Sequence, residues 1–481
     1  MKPFPRRLAL AIPLLALLVS AGPAAASDPT TVTVTQRDTR QIGGKPGGSA
    51  PVASASRTRT VTPCTWSYFG DPRSVAYRDW ISTGCIGIDG KAKVDQYNLQ
   101  TGEHRLLTLF RNLEVDDHNN PSLIFFKKKM YAFASPHAGY VYPRDRNPYM
   151  AYRVSVSDHA TGVQWRGSQR IPLGQGCGLG YTYPNPVKSG NRMYLFMRGP
   201  CWYPYFTSTK DGKTWARAKT LVLGPPSSGR NVRPYAKYDT APDGSILMTF
   251  SDGHPGSYKN NLYYMRFKAG RFYRADGSLI GTSSQLPFRL SQLDRVQKYS
   301  ASKGRPWPMD IAWNANGTPS IVYSSRVGTD DVFRYARFNG DRWVTREIAP
   351  AGGNLFGYRN GGITFNHADP SWVVLTRLID GAQEIELRHT ADNGKTWKSW
   401  QLTQHSTQLN VRPVVPRGFD DPDELVVVYV SGEASSFRSY RTVVKMNIGA
   451  NPDKPEPKPT PKPTPTPTPT PTPSPSPFPL P

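Results

Sequence analysis

Two eight-residue segments carry the same turn far apart in the chain. Thr390-Ala391-Asp392-Asn393-Gly394-Lys395-Thr396-Trp397 fits the Asp-box pattern S/T-x-D-x-G-x-T-W in full, and Ser208-Thr209-Lys210-Asp211-Gly212-Lys213-Thr214-Trp215 fits it with the Asp displaced by one. In such a turn the Asp bonds the turn's own amides, the Gly accepts a positive φ and the Trp packs beneath. Short runs rich in β-branched and aromatic residues surround the two boxes, at 130–135, 192–198, 245–251, 261–267, 319–325, 371–378 and 424–430, each bounded by Gly, Asn, Asp or Pro. Helical periodicity with capping signals is absent. The chain therefore reads as all-β. Tight turns between outer strands, with looser echoes at 240–245, 313–318 and 338–343, suit the blades of a β-propeller. At ~40–50 residues per blade, seven blades are expected, with six as the second choice.

The two ends read differently. Lys2, Arg6 and Arg7, the apolar run Leu8–Val19 and Ala24-Ala25-Ala26 have the make-up of a signal peptide over residues 1–26. Residues 27–60 are poor in large apolar side chains and read as a flexible leader. The propeller is expected over 61–449. Residues 450–481 turn into Thr-Pro repeats, which favour extended polyproline II and form no core. Secretion is expected, with the Pro/Thr-rich tail as a possible tie to the cell wall.

A formal net charge of +25 implies a polyanionic partner. For an exported chain the candidates are acidic glycans, cell-wall polymers and extracellular nucleic acid, and an acidic polysaccharide is the expected partner. No nucleic-acid recognition motif appears, no later run is long enough to insert in a membrane, and a monomer is expected. GxGxxG, Walker-type and HExxH patterns are absent, so no cofactor is expected in catalysis. A structural metal ion is left open. Cys64 with Cys85 and Cys177 with Cys201 form two sequence-local pairs, which in an oxidising compartment suggests disulfides, although four cysteines allow three pairings.

A propeller gathers loops from every blade at one end of its axis, so polar strand-end segments are the candidates for function. Asp116-Asp117-His118-Asn119-Asn120-Pro121-Ser122 places a His between carboxylates and amides, where hydrogen bonds set its tautomer. Ser135-Pro136-His137 follows the next strand. Tyr181-Thr182-Tyr183-Pro184-Asn185, Arg198-Gly199-Pro200, Arg233-Pro234-Tyr235 and Asp252-Gly253-His254 each put Tyr, Arg or His beside Pro or Gly at a strand end.

With these segments together, roughly residues 64–445 resemble the bacterial-neuraminidase-repeat propellers that include ulvan lyases. The resemblance implies an active site of two His, a Tyr and an Arg, matched here by His118, His137, Tyr183 and Arg198. Asn119, Arg233, Tyr235 and His254 are then expected to bind substrate, and Arg233 competes with Arg198 for its role. The implied activity is β-elimination at a uronate in an ulvan-like or rhamnose–glucuronate glycan. An Arg on the carboxylate stabilises the developing enediolate, while His and Tyr serve as base and acid. His118 and Tyr183 are assigned to proton transfer and His137 to positioning or sharing in it, with base and acid left open. The alternatives are an α-L-rhamnosidase-type hydrolase and a non-catalytic acidic-glycan binder. A sialidase fits poorly, because no Phe/Tyr-Arg-Ile-Pro segment opens the propeller.

Overall fold

A computed structural model describes residues 57–137, 149–160, 162–174, 180–225, 233–256, 258–352, 355 and 360–452. The expected signal peptide, most of the leader and the Thr-Pro tail lie outside these residues, as does Cys177.

The strands form a seven-bladed propeller. Blade 1 is Ser74–Tyr77, Trp80–Ile86, Ala92–Asn98 and His104–Phe110. Blade 2 is Ser122–Phe126, Lys129–Ala134, Tyr149–Val154 and Gln169–Pro172, and blade 3 is Thr182–Ser189, Arg192–Arg198, Pro204–Thr209 and Lys219–Thr220. Blade 4 begins with Ala236–Thr240, Ile246–Ser251 and Leu262–Lys268, and extra outer strands enlarge it to six. Blade 5 starts at Arg305–Trp313 and blade 6 at Ile363–Phe365. Blade 7 is Leu409–Val414, Glu424–Ser436 and Ser439–Ala450, completed by Arg57–Thr62 from the other end of the chain. All pairings within the blades are antiparallel, and the first strands of neighbouring blades touch around the axis.

Arg57–Thr60, expected to belong to the leader, is therefore part of the propeller. Its alternating Arg and Thr offer little apolar surface. An outer edge strand, however, needs only main-chain pairing on one side, which the ladder to Lys445–Ile448 supplies. That strand locks the first and last parts of the ring together.

The apolar clusters lie between blades. Ile124, Phe126, Tyr131 and Phe133 of blade 2 pack with Met193, Leu195 and Met197 of blade 3, and the same pattern joins blade 3 to blade 4 through Phe196, Tyr238 and Phe250. Burying one such side chain is worth about 1.5–3 kcal/mol. The two box turns join third and fourth strands, as expected. Asp211 accepts the amide N–H groups of Lys213 at 2.8 Å and Thr214 at 2.7 Å. Gly212 has φ +77°, and a Cβ there would stand 2.0 Å from the Tyr131 hydroxyl. Trp215 packs on Phe133 and Tyr152 of blade 2, and Trp397 on Tyr335 of blade 5. Each box thus ties its blade to the one before.

Cys64 and Cys85 form a disulfide. Cys201 is also disulfide-bonded.

The axis itself holds charge. Asp71, Asp239 and Asp310 meet Arg73, Lys237, His367 and Arg417, drawn from blades 1, 4, 5, 6 and 7 and the loops beside them. Arg73 lies 2.8 Å from Asp71, Lys237 bonds the same carboxylate, and Arg417 bridges Asp239 and Asp310. His367 places Nδ1 2.8 Å from Asp239 and Nε2 2.8 Å from Asp310. Two carboxylates can satisfy both ring nitrogens only if both carry protons, so His367 is an imidazolium. Burial and Arg417 push its pKa down, but Asp310 and Asp239 outweigh them and raise it.

Candidate active site

The site forms where the first strands begin and the second strands end. Asp116 caps the short turn Asp117–Asn119, and its Oδ1 accepts the backbone N–H of His118 at 3.0 Å and the ring Nδ1 of His118 at 2.6 Å. Its other oxygen accepts Nδ1 of His137 at 2.9 Å. Burial would raise the Asp116 pKa, but the hydrogen bonds from His118 and His137 hold the carboxyl well below its usual range. An ionised carboxylate only accepts, so each imidazole carries its proton on Nδ1.

His137 is driven down to about 3, first by burial and then by His118, with Asp116 opposing. It is therefore neutral near pH 7, and its lone pair sits on Nε2. The Tyr183 hydroxyl lies 3.0 Å from that nitrogen and donates to it. Tyr183, His137 and Asp116 form one directed hydrogen-bond chain.

Local backbone explains how Tyr183 reaches this position. The ladder between Thr182–Ser189 and Arg192–Arg198 slips between Thr182 and Asn185, and Tyr183 takes φ +60°. A bulge of this kind re-aims a side chain, and a left-handed non-Gly residue persists only where its surroundings hold it. Asn185 does so, its Nδ2 donating to the carbonyls of Tyr183 at 2.9 Å and Phe69 at 3.1 Å. The Tyr-Pro-Asn motif is thus a device for presenting the tyrosine.

Arg198 lays its guanidinium over the Tyr183 ring at 4.2 Å and over Trp202 at 4.6 Å, and Arg233 stands 5.2 Å from the same indole. Tyr183 and Arg198 also line a small pocket, together with Asn185, Tyr235, Phe69 and neighbouring residues. No carboxylate lines it among the described residues. Asp117 lies deeper, 2.7 Å from Nη2 of buried Arg412.

The structure thus brings together His118, His137, Tyr183 and Arg198, with Arg233 and Tyr235 beside them. The two imidazoles stand in different surroundings. The His118 side chain is 1% exposed, stacked between Phe69 at 5.0 Å and His137 at 3.8 Å, whereas that of His137 is 24% exposed and bonds Tyr183. Burial of His118 follows from the Asn-Pro turn that feeds its ring beneath the loop bearing His137. Asn119 is also fully buried and donates to the Glu114 carbonyl at 2.9 Å, so it braces the turn instead of facing the pocket. His254 packs behind Tyr235 and Trp307 and accepts the Gly256 N–H at 3.0 Å. It supports the pocket wall from behind.

Some residues were not singled out from sequence. Trp202 stands beneath both arginines. Phe437 and Arg438 cap the long hairpin of blade 7: the Phe437 ring stands edge-on to His118 and His137, and Arg438 Nε lies 3.5 Å from Asp116. The only signal was an aromatic–Arg pair inside the serine-rich turn 435–439. Asp116, His118 and His137 also offer three ligand atoms within 4.8 Å of one another, a set able to take a metal ion.

The fold has solved counterparts. A PL25 ulvan lyase superposes with a TM-score of 0.62 at 15% identity, over 81% of this chain and 95% of its own. The ulvan lyase bound to -[GlcA(1-4)Rha3S]- gives 0.61 at 15% identity, over 82% and 94%. Polysaccharide lyase Uly1 gives 0.50 at 15% identity, over 85% and 94%. These likenesses carry the propeller fold. No curated protein matches the chain. The profile of the BNR repeat-containing family matches residues 77–351, more than half of the chain, and the chain belongs to that family.

Proposed function

We propose that the protein is an exported polysaccharide lyase that cleaves a uronate-containing glycan, ulvan-like or rhamnose–glucuronate, by β-elimination. The observation that carries this reading is the Tyr183–His137–Asp116 chain beside Arg198, next to a pocket lined by no carboxylate among the described residues. A glycoside hydrolase of the usual kind needs two carboxyl groups flanking the scissile bond. Here the nearby Asp116 and Asp117 are buried and bound by imidazole and guanidinium groups.

The chemistry follows from the geometry. Arg198 pairs with the uronate carboxylate and stabilises the enediolate that forms when C5 loses its proton. The incoming carboxylate also raises the pKa of neutral His137 and makes it a better base. His137 Nε2 takes the C5 proton, the C4–O4 bond breaks, and the Tyr183 hydroxyl protonates O4. The imidazolium then returns its proton to the tyrosinate along the 3.0 Å contact, which restores the resting state. Asp116 holds the ring and stabilises its charged form, and His118 positions Asp116 and His137 from beneath. No cofactor enters these steps, and the glycan is the only partner they need.

The test is incubation with ulvan and with rhamnose-capped glucuronate glycans, following ultraviolet absorbance and free rhamnose together. An absorbance rise without rhamnose release is expected. Free rhamnose with no new double bond would assign the site to a hydrolase, and binding without turnover would make it a lectin.

A further inference from the structure

The opposite end of the strands from the pocket carries a second cluster of chemistry. His118 precedes the first strand of blade 2, Ser122–Phe126, and the turn Lys127–Lys128 follows it, so the two lie at opposite ends of one strand. At that far end the Tyr77 ring lies flat on His159, with centroids 3.7 Å apart and planes 2° from parallel. Phe125 closes the cluster at 5.5 Å from Tyr77 and 5.8 Å from His159. The Arg78 guanidinium stands 5.4 Å from the Tyr77 ring, and Arg78, Lys127 and Lys128 are all exposed. Asp158 is the nearby carboxylate, and Lys129 pairs with it at 2.8 Å.

The backbone here is costly for the residues it carries. Phe126 pairs with Lys129, leaving a two-residue turn in which Lys127 and Lys128 have φ +48° and +62°. Turns with two positive φ values favour Asn-Gly or Asp-Gly. Elsewhere this chain obeys that preference at Asp380-Gly381, with φ +49° and +84°, and keeps the Gly at Ala269-Gly270, with φ +49° and +81°. Arg78 at +50° and His159 at +52° adopt the same strained region within the cluster, and the His159 N–H holds the turn by donating to the Lys128 carbonyl at 2.6 Å. Lys127 Nζ stands 5.9 Å from the Phe126 ring, and together the two lysines put charge on a turn whose backbone favours Asn-Gly.

We propose that Tyr77, Arg78, Phe125, Lys127, Lys128 and His159 form a second binding site, on the face away from the pocket, for an acidic polysaccharide. Exposed cations spread along two adjacent blades match a chain with repeated sulfate or carboxylate groups. Single-stranded nucleic acid is disfavoured because base stacking needs an open ring face, and Tyr77 and His159 cover one another. Burial lowers the His159 pKa, and Arg78, Lys128 and Lys129 depress it further against the pull of Asp158. The ring therefore stays an uncharged stacking partner among the cations.

The test separates this site from the pocket. Tyr183→Phe, which keeps the ring and cannot donate a proton, serves as the background so that polymer survives the measurement. Binding of ulvan, of polyglucuronate and of charge-matched single-stranded DNA is then compared with and without Lys127→Asn/Lys128→Gly and Arg78→Gln. The turn variant installs the favoured pair, so its melting temperature is expected to rise while its affinity for both glycans falls roughly tenfold. Unchanged glycan affinity in a folded variant overturns the proposal, as does DNA bound more tightly than either glycan through the same residues. Weakened glycan binding in the variants, together with a wild-type protein that cleaves neither glycan, would support this site while sinking the lyase reading.

Discussion

The hydroxyl of Tyr183 donates to Nε2 of His137 across 3.0 Å, and it does so from a tyrosine whose own backbone is held at φ +60°. Blade 2 supplies the imidazole and blade 3 the phenol, so the contact exists only after two neighbouring blades have packed.

If these two groups exchange one proton during turnover, Tyr183→Phe and His137→Ala should each lower kcat by about 10²–10⁴-fold, the range of general acid–base catalysis. The double variant should be little worse than either single one, because the groups act as a unit. His118→Ala opens a void beneath His137, so its loss of activity should come with a lower melting temperature. Steady-state kinetics and thermal melts of the four proteins check this. Full activity in His137→Ala would remove the base.

The state of His137 sets the pH profile. Its folded pKa is lowered to about 3, so the neutral, proton-accepting form persists well below the usual imidazole value near 6.5. The acid limb of kcat/KM should therefore lie below pH 5, with no inflection near 6.5. Asp116→Asn removes the anion that fixes both Nδ1 protons and should cut kcat, and because the folded-state pKa of Asp116 is lowered it should also lower the melting temperature at neutral pH. A pH series on both proteins decides it.

Arg198 and Arg233 share the Trp202 face, but only Arg198 lies over Tyr183. Arg198→Lys keeps the charge and loses the planar fork, and is expected to reduce kcat by about 10²-fold or more, as for loss of an oxyanion-stabilising donor. Arg233→Ala should act mainly on KM. Reversal of that pattern would give the carboxylate to Arg233.

The axial network predicts a stability window. His367 has a raised pKa in the folded state, so its contribution is complete below about pH 6.5 and is lost as pH rises through the folded value. For Asp310, burial raises the pKa but His367 and Arg417 outweigh it. Its pKa is therefore lowered, and its contribution is complete above about pH 4 and lost in acid. Melting temperature should peak between these limits. His367→Ala removes one cation from two buried carboxylates that Arg417 still bridges, and should lower stability with the alkaline decline abolished. Urea unfolding at pH 5, 7 and 9 measures both effects.

The amino-acid sequence alone was enough for the fold because the second strands of the blades are buried on both faces. Met193–Met197, Ile246–Met248 and Leu425–Val430 read as unbroken apolar runs, and the two box turns mark the spacing between them. Outer strands such as Arg57–Thr62 left no such trace, since one neighbour and water satisfy them. The site residues were visible as types, His and Tyr and Arg at strand ends, because each stands in a distinctive local turn. Their division of labour was not visible. Which imidazole lies buried under Phe69 and which one meets Tyr183 depends on how blades 1, 2 and 3 close on one another, and the seven-way charge cluster at the axis depends on nearly the whole ring. Contacts between residues tens to hundreds of positions apart arise from packing geometry, and no local pattern encodes them.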